Sequence, residues 1–243
     1  MKLISLNIEF NRHLDRVKDF LQAEQADVVC LQELLQEHVL FFQEVTEAGF
    51  VHYAPMTRLQ RYGVDDVLGV GIFSRIPVSR WQVHQISGQG SGTEPFQAET
   101  AASKHGSTRF VALEAVLTTP AGDLPLLTTH FPVTVEGGMD EFQTGVCDNF
   151  LNLVAGYQTV AACGDFNAPR GRPIFSRLAA ALTDTIPAHY ETSLYGPFHK
   201  AGYQLPYMVD GLFVKGRADA SNVALKAGMS DHHAIVAVLT LSR

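Results

Sequence analysis

Five short polar clusters recur along this chain, four of them closing an apolar, strand-like run and the fifth standing just before one. Asn7 closes KLISLN, Gln32 and Glu33 close VVCLQE, Thr129 and His130 close LPLLTTH, and Gly164-Asp165-Phe166-Asn167 follow the run at 159–163. Ser230-Asp231-His232-His233 stand immediately before AIVAVLTL. KLISLNI alternates in part, whereas VVCLQE at 28–33 is a continuous apolar run and reads as a strand buried on both faces, since a strand with one wet face would alternate. A rigid sheet holds a side chain at a strand end with the precision chemistry needs, so the repetition implies strands whose polar ends meet at one site.

The rest of the chain reads as more strands with a few long helices between them. Leu14, Val17, Phe20 and Leu21 recur at helical spacing, as do Val39, Phe42 and Val45 before Gly49, and a third helix is expected over 139–154. Strands are expected from Phe50 to Tyr53 and over 68–74, 78–86, 109–117, 124–130, 207–214 and 234–241. Ser87–Thr108, rich in Gly, Ser and Thr, reads as a long loop and hence as a substrate-facing or mobile element. Neither a repeat nor an interdomain linker is visible. At 243 residues the chain fits one domain spanning 1–243, because strand-rich sandwiches of roughly 200 to 250 residues form single domains.

Glu33, Asp165, Asn7 and Asn167 supply carboxylate and amide oxygens, the donor set preferred by Mg²⁺ or Mn²⁺, whereas zinc favours thiolate and clustered imidazole. Taken alone, a Glu closing a strand is an ordinary solvated residue and Asp-x-Asn before Pro is ordinary turn chemistry. In GDFNAP the turn also aims Asp165 and Asn167 into the cleft that Glu33 reaches. Cys30, Cys147 and Cys163 are odd in number and far apart, with no metal-ligand spacing, so they read as buried reduced thiols.

SLN, LQE at 31–33, TTH at 128–130, GDFN at 164–167, VD at 209–210 and SDH at 230–232 resemble, in order and approximate spacing, the endonuclease/exonuclease/phosphatase superfamily. The resemblance spans nearly the whole chain. It implies an α/β fold of four layers (α-β-β-α), two mixed sheets packed face to face with helices outside, and an active site at one end of the sandwich. By the same resemblance Asn7, Glu33 and Asp231 would hold or orient the metal. Asp165 and Asn167 would position the nucleophile and a phosphate oxygen, and His232 would pair with Asp210 as general base or charge stabiliser. His130 matches the position where deoxyribonucleases and sphingomyelinases carry His and abasic-site endonucleases carry Tyr, and would donate to a phosphate oxygen.

The implied activity is hydrolysis of a phosphodiester or phosphomonoester by in-line attack of an activated water. Arg109, at the start of a strand, and His199 and Tyr203, in the loop before 207–214, are candidate substrate contacts from their positions alone. His233 should face away from the site, and His13, His38, His52, His84, His105 and His189 read as surface residues. Two other readings compete: a DNA or RNA nuclease of the same superfamily, and a non-catalytic scaffold. The scaffold should have lost a charged site residue, and none is missing. A net charge of -7 argues against a protein that coats nucleic acid, though it leaves room for a local basic cleft. The apolar run ending at Ile8 is too short for a signal peptide's core and no run approaches a membrane span, so a cytoplasmic protein without membrane insertion is expected. No protein partner is implied.

Overall fold

The computed structural model describes residues 1–97, 100, 103, 106–204 and 206–242. The described strands form two six-stranded mixed sheets. The first is built from β1 (Lys2–Asn7), β2 (Val28–Leu35), β3 (Phe50–Arg61), β4 (Val64–Ser74), β11 (Ala218–Lys226) and β12 (Ala234–Leu241), in the order β11-β12-β1-β2-β4-β3. The second is built from β5 (Val78–Gly88), β6 (Arg109–Thr119), β7 (Gly122–His130), β8 (Val160–Asp165), β9 (Thr183–Asp184) and β10 (Asp210–Lys215), in the order β5-β6-β7-β8-β10-β9. The helices that cover them are α1 (Leu14–Glu24), α2 (Val39–Thr46), α3 (Glu141–Ala155) and α4 (Pro173–Ala181).

Alternation within the central strands explains the four layers. Leu3, Val28 and Cys30 point into the core between the sheets, where they meet Val111, Leu113, Leu126 and Cys163 of the second sheet. Ile4, Leu6, Val29 and Leu31 point the other way and pack under Val17 and Leu21 of α1 and Phe42 and Val45 of α2. Across the molecule, Val146 and Phe150 of α3 and Ile174 and Leu178 of α4 cover the outer face of the second sheet. Both faces of the central strands are thus dry, which is why their sequences run apolar without interruption. Cys30, Cys147 and Cys163 are buried and free, as expected.

Each sheet has one parallel pair at its centre, β1 beside β2 and β7 beside β8, each joined by a crossover carrying a helix. Parallel strands end on the same side, and β1 packs near β8 and β2 near β7 across the sandwich. The carboxyl ends of four strands therefore converge at one end of the molecule, the usual place for a site in α/β sheets. The antiparallel neighbours complete it from their amino ends. Asp210 opens β10 directly opposite Asp165, and β12 runs against β1 with Ile235 opposite Ser5, carrying His232 to the Asn7 end.

Several elements differ from the sequence reading. β3 extends to Arg61, because its second half pairs with β4 although its exposed residues are polar. β11 was not anticipated, since an edge strand with a partly wet face carries no apolar run. Neither was α4, whose first residue is Pro173, a position where the missing N–H costs nothing. The segment after β5 is not free: Arg58 N–H donates to Glu94 O (2.7 Å), Phe96 N–H to Arg58 O (2.9 Å) and Thr57 Oγ1 to Ser107 O (2.9 Å). It is tied to the edge of β3 at the same end as the polar cluster. His105 lies outside the described residues. His13, His38, His52 and His84 are half-buried rather than surface residues, and only His189 of the described set is exposed. His84 lies on β5 against Glu114 of β6 (2.8 Å), and His52 stacks on Trp81, contacts between strands that a local sequence window does not reveal.

Candidate active site

The centre of the convergent end is the Asn7 side chain, buried at the tip of β1. Its Nδ2 donates to Glu33 Oε1 at 3.2 Å and to Asp165 Oδ2 at 3.1 Å, tying the two sheets together through one amide. Glu33 reaches this position because β2 is irregular. The register with β4 shifts between Leu31 and Leu34, and Glu33 takes a left-handed backbone (φ 53°), so its carboxylate leaves the ladder and enters the cleft. β2 then continues to Leu35, beyond the expected end at Glu33. Behind it, buried Gln32 spans the core, donating to Thr128 Oγ1 at 3.0 Å.

Asp165 is held by its own turn. The Asn167 N–H donates to Asp165 Oδ1 at 2.8 Å, with Asn167 at φ 47°, a conformation Asn tolerates well. Asn167 Nδ2 donates to Phe131 O at 2.9 Å, and Gln143 Nε2 of α3 donates to both Asn167 O and Pro132 O at 3.0 Å. Gly164 lets β8 lie this close to β7, since a Cβ there would meet Thr129 O at 2.1 Å.

Two histidines face this acidic pair. His130 Nε2 stands 3.5 Å from Asp165 Oδ2 and 4.0 Å from Glu33 Oε1. His232 Nδ1 pairs with Asp210 Oδ2 at 2.7 Å, leaving Nε2 toward Asp165 Oδ2 at 3.9 Å. Asp210 is fixed through its backbone, because buried Ser193 Oγ accepts the N–H groups of Val209 (3.0 Å) and Asp210 (3.1 Å).

The electrostatics are those of a site with excess negative charge. Burial, reinforced by the charge of Asp210, raises the Asp165 carboxyl above its ordinary range despite His232 and His130. Burial likewise raises Glu33, with Asp231 adding to the effect and His130 and Asn7 opposing it. Burial alone would lower His232, but Asp210, by charge and hydrogen bond, together with Asp165 and Asp231, pushes it well above the ordinary imidazole value. Donor atoms of Asp165, Asp210 and His232 lie within 4.8 Å of one another, a spacing that could hold a metal ion. Carboxylates buried this closely are stabilised by a cation among them, and an oxygen-rich donor set of this kind fits a hard divalent ion.

The remaining expected residues fall at different distances from this centre. Asp231 hydrogen-bonds with Ser230 Oγ (3.1 Å) and lies close enough to Glu33, Glu9 and His232 to perturb all three. The His199 ring lies 6.5 Å from that of His232, in the cleft, and burial lowers its pKa. Tyr203 is 80% exposed on the rim, resting over Gly196. Arg109 opens β6 at the same end. His233 is turned away, its N–H donating to Ser193 O (2.7 Å) and its ring lying against Tyr195. Ser193, Gln143 and Glu9 were missed from the sequence. Only Glu9, two residues beyond Asn7 and hydrogen-bonded through its N–H to Asn7 Oδ1 (3.1 Å), offered a signal by proximity.

A face-to-face pair of mixed sheets with paired carboxylates, a His–Asp couple and a second histidine at the converging strand ends defines a phosphoesterase. The chain matches the Endonuclease/Exonuclease/phosphatase family over residues 4–232 and belongs to it. It is a hydrolase of phosphoester bonds. Among solved structures it is similar to an endonuclease/exonuclease/phosphatase from Beutenbergia cavernae (18% identity, TM-score 0.78, 100% of this chain and 72% of that one). It is also similar to the catalytic domain of human Nocturnin (13% identity, TM-score 0.73, 100% and 94%). A third is a mannosyl-6-phosphatase from Bacteroides thetaiotaomicron (10% identity, TM-score 0.67, 99% and 100%). At these identities the likeness concerns the fold. No curated protein matches the sequence.

Proposed function

We propose that this chain hydrolyses a phosphodiester or phosphomonoester with the help of Mg²⁺ or Mn²⁺, all 243 residues acting as one catalytic domain. The observation that carries the reading is the Asn7 amide shared by Glu33 and Asp165, with the His232–Asp210 couple beside it. Glu33, Asn7 and Asp231 would hold the cation, which when bound neutralises charge on the phosphoryl group and leaving oxygen. Asp165 orients the attacking water through the oxygen facing the cleft, while its other oxygen is kept occupied by the Asn167 N–H. Asn167 and the stretch it anchors, through its bond to Phe131 O, position a phosphate oxygen.

His130 Nε2, which faces Asp165 and Glu33, donates to a non-bridging oxygen. His232 holds a proton at Nε2, since Asp210 fixes Nδ1 and favours the cationic ring, and presents it to the charge developing on the phosphoryl oxygen. His199, near His232, and Arg109 and Tyr203 on the rim, face the part of the substrate outside the reacting phosphate. Nucleic acid is one substrate class compatible with this site. No helix among the described residues is long and apolar enough to cross a membrane. Three free buried thiols support a reducing, cytoplasmic setting.

The test is hydrolysis by the whole protein of bis-p-nitrophenyl phosphate, p-nitrophenyl phosphate, sphingomyelin and single- and double-stranded DNA, each with Mg²⁺, Mn²⁺ or EDTA. Cation-dependent turnover of at least one ester is expected. Turnover of none would refute the proposal.

A further inference from the structure

The β3–β4 turn stands at the same end of the first sheet as Glu33, because β4 runs against β2 and β3 against β4. Its tip is Tyr62-Gly63, with φ 58° and 78°, the left-handed pair of a type I′ turn. Such turns favour Asn-Gly, and an aromatic side chain at positive φ is a strained choice. Tyr62 nevertheless remains 63% exposed. Its ring stacks beside Phe10 (centroids 6.3 Å apart, 15° between planes), and Phe10 also has a left-handed backbone (φ 62°). Phe10 is three residues beyond Asn7, so its Cα is within about 11 Å of the centre of the site.

Two guanidiniums lie over the ring, Arg12 at 5.2 Å and Arg61 at 5.1 Å from its centroid, and Arg61 also lies over the Phe96 ring at 5.2 Å. Arg12 is held in place by Glu9 Oε1 at 2.8 Å, and Glu9 in turn feels the charge of Asp231. A continuous path of contacts thus joins the acidic centre to an exposed aromatic ring flanked by cations. Leu35, Leu59, Val64 and Phe10 form a small separate core beside the turn.

We propose that Tyr62, with Arg12 and Arg61, is a substrate subsite that stacks a nucleobase and contacts the adjoining phosphate, so that the substrate is a single-stranded nucleic acid or its end. This rests on the phosphoesterase reading of the Asn7 centre and names the substrate class for it. An exposed ring bordered by guanidiniums is how proteins bind single strands without reading sequence, the ring taking the base and the cations tracking the backbone. The overall charge of -7 does not oppose it, because two guanidiniums stand together at this one ring.

The experiment compares cleavage of an eight-residue oligothymidylate with that of a tetrahydrofuran (abasic) strand of the same length by the whole protein with Mg²⁺, alongside bis-p-nitrophenyl phosphate. Wild type should prefer the base-bearing strand by about 5- to 150-fold in kcat/KM, as expected when one base is stacked. The preference should lie mainly in KM, since the subsite binds ground state and transition state alike. Tyr62→Ala should bring the preference close to one, Tyr62→Phe should keep it, and Arg61→Gln should reduce the salt slope for the oligothymidylate by about 0.7. Equal use of both strands by wild type, or an unchanged preference in Tyr62→Ala, would overturn the subsite. Turnover of bis-p-nitrophenyl phosphate with neither strand cleaved would overturn it too while leaving the phosphoesterase reading intact. No turnover of any of the three would refute that reading itself.

Discussion

Replacing Asp210 by Asn tests whether the His232–Asp210 couple serves chemistry or merely folding, because the two roles predict opposite outcomes. At an effective dielectric of about 20, a charge pair at the 2.7 Å separation observed between His232 and Asp210 is worth about 6 kcal/mol. Asp210 also repels Asp165, with donor atoms no more than 4.8 Å apart, which at the same dielectric costs about 3.5 kcal/mol. The variant loses the first, recovers the second, and no longer buries a carboxylate whose desolvation costs several kcal/mol. The Ser193 hydroxyl still accepts from the backbone N–H of residue 210, and the substituted amide can still hydrogen-bond His232.

Stability should therefore change by no more than about 2 kcal/mol, while activity falls by roughly 10²- to 10⁴-fold, the usual contribution of a positioned acid or base. The imidazole would also lose the interaction that raises it, so the alkaline limb of the rate profile should move to lower pH: the active cationic form is populated below the His232 pKa and lost above it. Chemical denaturation together with pH-dependent hydrolysis of bis-p-nitrophenyl phosphate reads all three quantities. A stable variant with activity within about threefold of wild type, or a variant whose activity loss follows its loss of fold, would refute the reasoning.

His232→Ala should reduce turnover by about 10²- to 10⁴-fold and His233→Ala by less than tenfold in the same assay, because only His232 faces Asp165 while His233 lies against Tyr195. Glu114→Gln should cost about 1.5–3 kcal/mol at neutral pH, since a carboxylate buried on β6 would lose its charge-assisted bonds to Arg80 (2.9 Å) and His84 (2.8 Å). Burial opposes ionisation of Glu114, but His84, Arg80 and Tyr157 together hold its pKa below the ordinary 4.5; its stabilisation is therefore complete above that value and is lost as the pH falls through the folded one. Urea unfolding of both proteins should thus converge in acid, and a constant difference would contradict the assignment. Duplex DNA should bind weakly to Glu33→Gln, with a slope of log affinity against log salt of roughly -2 to -3, and a steep slope with nanomolar affinity would point to a basic groove.

What the sequence made legible was the set of strand ends, because the central strands are dry on both faces and their polar tips stand out against long apolar runs. Asn7, Glu33, His130, Asp165 and His232 could be named for that reason, and parallel pairing of β1 with β2 and β7 with β8 then brings them together. The bulge that turns Glu33 into the cleft was not legible, since its cause is register against β4 rather than anything within VVCLQE. Ser193, which steadies Asp210 from a distant loop, has no local pattern at all. β11 and the outer half of β3 were obscured by wet faces, and α4 by its short length and leading proline. Tyr62 was invisible for a different reason: its significance depends on a strained turn and on rings and guanidiniums drawn from three separate segments.

The central claim, that Glu33 and its oxygen-donor neighbours form a divalent-cation site driving phosphoester hydrolysis, is tested most directly by calorimetric titration of Mn²⁺ into wild type and Glu33→Gln, paired with turnover of bis-p-nitrophenyl phosphate. The substitution keeps the side chain's size and removes one charge from a centre held by the Asn7 amide. Wild type should bind Mn²⁺ and turn over only with the cation, with EDTA abolishing activity and added Mn²⁺ restoring it, while Glu33→Gln should lose most of both affinity and rate. A Glu33→Gln protein that binds Mn²⁺ and hydrolyses the ester like wild type, or a wild type indifferent to EDTA, would contradict the account.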